Sequence, residues 1–132
     1  MDSRNIFLLG ASQGGVVSAI TAADNVDDVA EAVLLYPAFV LVDYTMEQYS
    51  SVDEVPESSF HLFMTVGKTY FEKLFDYDVY GHIQNYNKDI LPIHGDRDGI
   101  VPLSYYQRAL GVYPSAELEV IPGAGHGFHG DA

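Results

Sequence analysis

With 132 residues, 48% of them hydrophobic and 19% charged, the chain has enough apolar material to pack one domain and too much to stay disordered. It has no cysteine, which excludes disulfides, thiolate nucleophiles and cysteine-ligated metals, and no apolar run approaches the roughly 18 residues of a membrane span. Nineteen acidic residues against six basic ones give a formal charge of −13, which repels phosphate backbones and anionic lipid and argues against nucleic-acid and membrane partners. The first residues carry neither the basic stretch nor the small-residue cleavage site of a secretory signal, so a cytoplasmic protein is expected. The acidity itself reads as a solubility feature and identifies no substrate.

In chain order, residues 6–9 form a short apolar run ending at Gly10, the pattern of a strand buried on both faces. From 13 to about 23 the spacing turns helical, with Val16, Val17, Ile20 and Ala23 expected on one face and Asp24-Asn25 closing the segment. Residues 32–36 are a second buried strand, stopped by Pro37. From about 44 to 88 no single period holds, and the stretch is read as an insertion or cap. Within it, 50–59 reads as loop, and Val66-Gly67-Lys68 as a hairpin turn between Phe63-Met64 and Tyr70-Phe71. The alternation then resumes with a strand over 90–94, a helix over 104–110 capped by Ser104, and a strand over 117–121. This β-α-β-cap-β-α-β order predicts an α/β protein of about four parallel strands with flanking helices. Pro92 breaks the pattern of its strand, because a proline removes a ladder donor; a local bulge is expected there.

Three loops carry chemistry-bearing residues. Gly10-Ala11-Ser12-Gln13-Gly14 lies between a predicted strand and a predicted helix, where a sharp turn lifts a serine oxygen above the sheet. Small residues at 10 and 14 are expected to let neighbouring backbone pass close, and the N–H of Gln13 to face a developing oxyanion. His94-Gly95-Asp96-Arg97-Asp98-Gly99-Ile100-Val101-Pro102 follows the third strand, where groups of an open parallel sheet gather. Gly123-Ala124-Gly125-His126-Gly127-Phe128 follows the last strand. Each motif is weak alone, since glycine turns, acidic turns and surface histidines are common. Together they set Ser, Asp and His in that chain order, each after its own strand, the order that a serine hydrolase on this type of sheet requires. A metal site built from His126 and His129 with Asp131, or with His94 and Asp96, fits no strong ligand spacing. His94 is expected inside, bonding the acid loop, and His61 and His82 on the surface of the cap.

These segments, with Leu34-Leu35-Tyr36-Pro37-Ala38, resemble bacterial α/β-hydrolase esterases over nearly the whole chain, and within them the cinnamoyl (feruloyl) esterase-like group. The resemblance implies a partial α/β-hydrolase fold with a cap. It implies Ser12 as nucleophile, His126 as base and Asp98, three residues before Val101-Pro102, as the acid that orients it. It also implies hydrolysis of short acyl or hydroxycinnamoyl esters through an acyl-enzyme, with no cofactor or metal. A peptidase of the prolyl-oligopeptidase type shares the triad order, and a catalytically inactive fragment that folds by association is the non-enzymatic alternative. The ten aromatic residues between Tyr44 and Tyr86 read equally as a local core or as a wall for an aryl group, with Asp43 a candidate contact for a phenolic hydroxyl.

The family has further strands before the serine turn and a helix after the histidine. The strand at 6–9, central in the family, is therefore expected to be an exposed apolar edge. That edge predicts a homo-oligomer or association with an N-terminal portion, which in the family also supplies a second oxyanion donor.

Overall fold

The computed structural model describes residues 5–61 and 64–129. Its elements in chain order are β1 (Ile6–Ala11), α1 (Gln13–Asp24), β2 (Val29–Leu35), α2 (Leu41–Gln48), β3 (Ser58–His61), β4 (Met64–Gly67), α3 (Lys68–Leu74), α4 (Val79–Ile83), β5 (Ile90–Gly95), α5 (Leu103–Leu110) and β6 (Glu119–Ile121). Short 3₁₀ turns occupy Val52–Glu54 and His126–Phe128. The chain divides into two compact units, Met1–Phe39 with Val79–Ala132, and Val40–Asp78.

The larger unit is an α/β layer: four strands in the order β1-β2-β5-β6, every pair parallel. α1 packs on β1 and β2, and α4 packs on α1. Small residues make that approach possible. Gly15, Val16, Ala19, Ala22 and Ala23 are buried, whereas Val17, expected inside, is 56% exposed. The inward stripe of α1 runs along alanines because the helix lies close to the strands, so side-chain size was a poor guide to its buried face.

The two faces of the sheet differ. Ala32, Leu34, Ile90, Pro92 and His94 are buried on the helix-covered face. On the other face Phe7 is 62% and Leu9 67% exposed, Leu91 is exposed, and Val33, Leu35 and Ile93 are only partly covered. The register aligns Leu9, Val33 and Leu91 in one row and Ala11, Leu35 and Ile93 in the next. β1 is therefore an edge strand buried on one face, not on both.

Pro92 produces no bulge. Ile90 exchanges backbone bonds with Ser115 and Glu117 on the β6 side, and strand alternation turns residue 92 to that same side. The ladder there lapses between the bridge Ile90↔Ala116 and the pair Ile93↔Glu119, which keep one common register. The missing donor thus costs a gap in the ladder rather than a kink.

Beside α1, Phe39 packs on Tyr80 (5.7 Å between centroids) and Tyr106 (6.1 Å), and the Arg108 guanidinium lies 4.2 Å from the Tyr80 ring centre. Tyr86 donates to the Val29 carbonyl at 3.3 Å, and His82 lies within the same unit, bonded to Asp24 at 2.7 Å. The main unit thus resumes at Val79, earlier than the composition of 44–88 indicates. α5 begins at Leu103 after Pro102, and Ser104 lies inside it with no side-chain cap. Proline's fixed φ starts the helix without one.

The smaller unit packs α2, α3 and the antiparallel pair β3–β4 around Phe71, Val55 and Thr45, with Tyr49 against Phe71 at 5.5 Å. Ser58 pairs with Gly67 and His61 with Met64, so Val66-Gly67-Lys68 is not the hairpin turn: Val66 and Gly67 are themselves in the ladder. Gly67 instead ends β4 and precedes α3, which contains Tyr70 and Phe71. The segment 50–59 is loop apart from its 3₁₀ turn and the start of β3.

Candidate active site

Ser12 is the single residue between β1 and α1, and its backbone adopts φ 53°, ψ −120°, a region that L-residues rarely enter. Four backbone bonds hold it there. Its N–H donates to the Leu35 carbonyl at 2.9 Å, and its carbonyl accepts from Gly15, Val16 and Ala38 at 3.0, 3.3 and 3.0 Å. Close packing explains two nearby glycines. A Cβ on Gly10 would collide with the Gly14 carbonyl and the Ser18 hydroxyl, and one on Gly15 would lie 2.9 Å from Pro37 Cα. Gly14, expected to serve the same purpose, has nothing within 4 Å of where a Cβ would stand. Gln13 opens α1, so its N–H lies at the helix start with no carbonyl one turn back within the helix to bond.

The loop after β5 separates its two aspartates by role. Asp98 is buried, and its Oδ1 accepts the N–H groups of Ile100 (2.9 Å) and Val101 (2.7 Å). That leaves Oδ2, which accepts Nδ1–H of His126 at 2.8 Å. Asp96 is exposed, and its Oδ1 accepts the Gly123 N–H at 2.6 Å, tying down the loop that carries His126. Gly95 lets this loop come near, because a Cβ there would collide with the Ala124 carbonyl, which also accepts from the Arg97 N–H at 3.0 Å. His94 is fully buried, as expected of a residue serving the acid loop. Its Nε2 stands 2.9 Å from the Val101 carbonyl and 3.5 Å from Asp98 Oδ2. One N–H serves one acceptor well, and the nearer carbonyl takes it.

His126 begins the last 3₁₀ turn, beside Gly127 at φ 73°. A carboxylate only accepts, so the His126 proton sits on Nδ1. Nε2 is then a lone pair facing the Ser12 hydroxyl at 3.0 Å. Ser12, His126 and Asp98 are thereby brought into one hydrogen-bonded line. Two residues without an expected role join them. The Tyr36 ring meets the His126 ring edge-on at 4.7 Å and the Phe128 ring at 4.8 Å. Their only sequence signals are the Tyr36-Pro37 stop and the proximity of Phe128 to the histidine. Among the described residues no three His, Asp or Glu side chains form a metal-binding group, and Asp131 lies outside them. A hydroxyl, imidazole and carboxylate in this line, with a helix N-terminus beside the hydroxyl, can carry out acyl transfer.

Solved structures repeat this arrangement of strands and helices. The chain superposes on Est1E from Butyrivibrio proteoclasticus with a TM-score of 0.86 at 23% identity, over 94% of this chain and 54% of that one. The fold is that of the α/β-hydrolases. Est1E with ferulic acid bound matches with a TM-score of 0.84 at 23% identity, over 94% of this chain and 52% of that one. A monoacylglycerol lipase from Paleococcus ferrophilus matches at 0.68 with 15% identity, over 93% and 60%. The chain therefore spans about half the length of these α/β-hydrolases and holds a partial form of their fold. No protein-family model and no curated sequence matches it. Among the described residues no helix is long and apolar enough to cross a membrane.

Proposed function

We propose that this chain is the catalytic portion of a cytoplasmic serine hydrolase that cleaves carboxylic esters of short acyl or hydroxycinnamoyl groups. The single observation carrying the proposal is the line Ser12 Oγ–His126 Nε2 at 3.0 Å and His126 Nδ1–Asp98 Oδ2 at 2.8 Å. Its likeness to esterases and a lipase supports hydrolysis, and the ferulic acid in Est1E supports the acyl class.

Ser12 Oγ attacks the ester carbonyl as its proton passes to His126 Nε2. The tetrahedral oxyanion takes a hydrogen bond from the Gln13 N–H. Collapse breaks the bond to the alkoxy group, which leaves as alcohol with the proton from His126. Water, deprotonated by the same nitrogen, then attacks the acyl-serine and releases the acid. Asp98 keeps the imidazole in the Nδ1–H tautomer and stabilises the imidazolium. In this fold a second oxyanion donor comes from a loop beyond the strand we call β1. Loss of one donor costs on the order of 10²–10³ in rate, so slow turnover is expected of the chain by itself. We assign the uncovered sheet face and the β1 edge to another polypeptide surface, either a second copy or the portion of such a hydrolase that this chain does not span.

A fluorophosphonate probe tests the proposal. Labelling of the folded chain that disappears in Ser12→Ala is expected. An unlabelled folded chain, or labelling that survives in Ser12→Ala, would refute it. Methyl ferulate and p-nitrophenyl acetate should turn over faster than amino-acyl anilides, and the reverse order would indicate a peptidase.

A further inference from the structure

The His126 loop has glycine on both sides of the histidine, so the backbone alone does little to fix the ring. Asp98 holds Nδ1 and the Ser12 hydroxyl meets Nε2, but the bond to Ser12 is given up when that oxygen attacks, and a ring held at one nitrogen can pivot about the bond that remains. Among the described residues the aromatic rings packed near it are Tyr36, with centroids 4.7 Å apart and planes at 61°, and behind Tyr36 the ring of Phe128 at 4.8 Å and 76°. Tyr36 reaches this place at a backbone cost: its φ is 35°, left-handed for a residue that is not glycine, and Phe128 stands at φ 60°.

The neighbours of Tyr36 are engaged as well. Leu35 accepts the Ser12 N–H, Ala38 donates to the Ser12 carbonyl, and the Tyr36 N–H is anchored to Ile93 at 2.8 Å. One turn at the end of β2 therefore grips the serine through its backbone and the histidine through a side chain. We propose that Tyr36 is a positioning residue, whose ring, braced by Phe128, stops the His126 imidazole from swinging off the line between Ser12 and Asp98. The inference rests on the hydrolase reading and deepens it.

The test uses three variants of the full chain and two readouts: the rate of fluorophosphonate labelling at Ser12, and the His126 Nδ1–H signal in nitrogen-edited NMR. Tyr36→Phe keeps the ring and should match the wild type in both. Tyr36→Gly accepts φ 35° without strain and removes the ring. It should remain folded yet label at least about tenfold more slowly and lose the Nδ1–H signal to exchange, because small displacements of a reacting group cost large factors in rate. Wild-type labelling with a persistent Nδ1–H signal in Tyr36→Gly would overturn the proposal. If Tyr36→Gly does not fold, Tyr36→Leu, which keeps apolar bulk without a ring, is expected to show the same two losses. If the wild type itself does not label, the hydrolase reading fails and the Nδ1–H signal alone decides the role of Tyr36.

Discussion

Asp96 and Asp98 stand two positions apart in one loop, yet one braces a backbone and the other meets an imidazole. The difference is which oxygen remains after local amides are served, a matter of loop geometry that composition does not encode. A similar contrast separates the tyrosines. Burial pushes the Tyr106 and Tyr113 phenols far above their ordinary value of 10.0, and among the described residues neither hydroxyl has a hydrogen-bond partner. A phenol whose folded-state value is raised lends stability in full below the unfolded value, and that stability drains away as pH climbs toward the folded value. Stability should therefore be level up to about pH 9 and fall beyond pH 10. In a near-ultraviolet titration these two of the ten tyrosines should ionise only as the fold is lost. Tyr106→Phe removes an unmade bond and should leave stability unchanged or raised by about 1 kcal/mol, measured by denaturant unfolding.

At the scale of elements, α1 shows how much a sequence pattern can carry. Its position after a strand and a Gly-x-Ser-x-Gly turn was legible, because strand and helix periods differ and the turn chemistry is local. Its buried stripe was not, because closeness to β1 and β2 selects alanine over larger residues. The same closeness separates two glycines. Gly14→Ala should be neutral or stabilising by up to about 1 kcal/mol, since Ala favours the helix and nothing stands in its way. Gly15→Ala pushes a methyl into Pro37 and should cost about 1–3 kcal/mol. Denaturation midpoints of the two variants check this, and equal shifts would contradict the packing described. Ser104 lies inside α5 for a related reason: two positions before it, Pro102 starts the helix through its fixed φ, and no side-chain cap is needed.

For the molecule as a whole, the uncovered face dominates. Parallel sheets are normally buried on both sides, and an exposed apolar edge strand invites pairing. Phe7 and Leu9 should therefore promote self-association and bind an apolar dye. The double variant Phe7→Lys, Leu9→Lys should reduce both in sedimentation velocity and dye fluorescence. Because both side chains are more than half exposed, its unfolding free energy should stay within about 0.5 kcal/mol of the wild type. A large loss of stability would mean that these side chains are buried by the chain itself.

The sequence by itself determined the class of fold, the parallel order of its strands and the three loops that carry Ser12, Asp98 and His126, because strand period, helix period and turn residues act over a few neighbours. Only the tertiary structure decided which glycines are crowded, that Tyr36 flanks His126, and how much of the second sheet face stays uncovered. Those outcomes depend on groups brought together from distant positions, Ser12 and His126 being 114 residues apart. No local pattern records a contact of that kind; it exists only once the strands have taken their register.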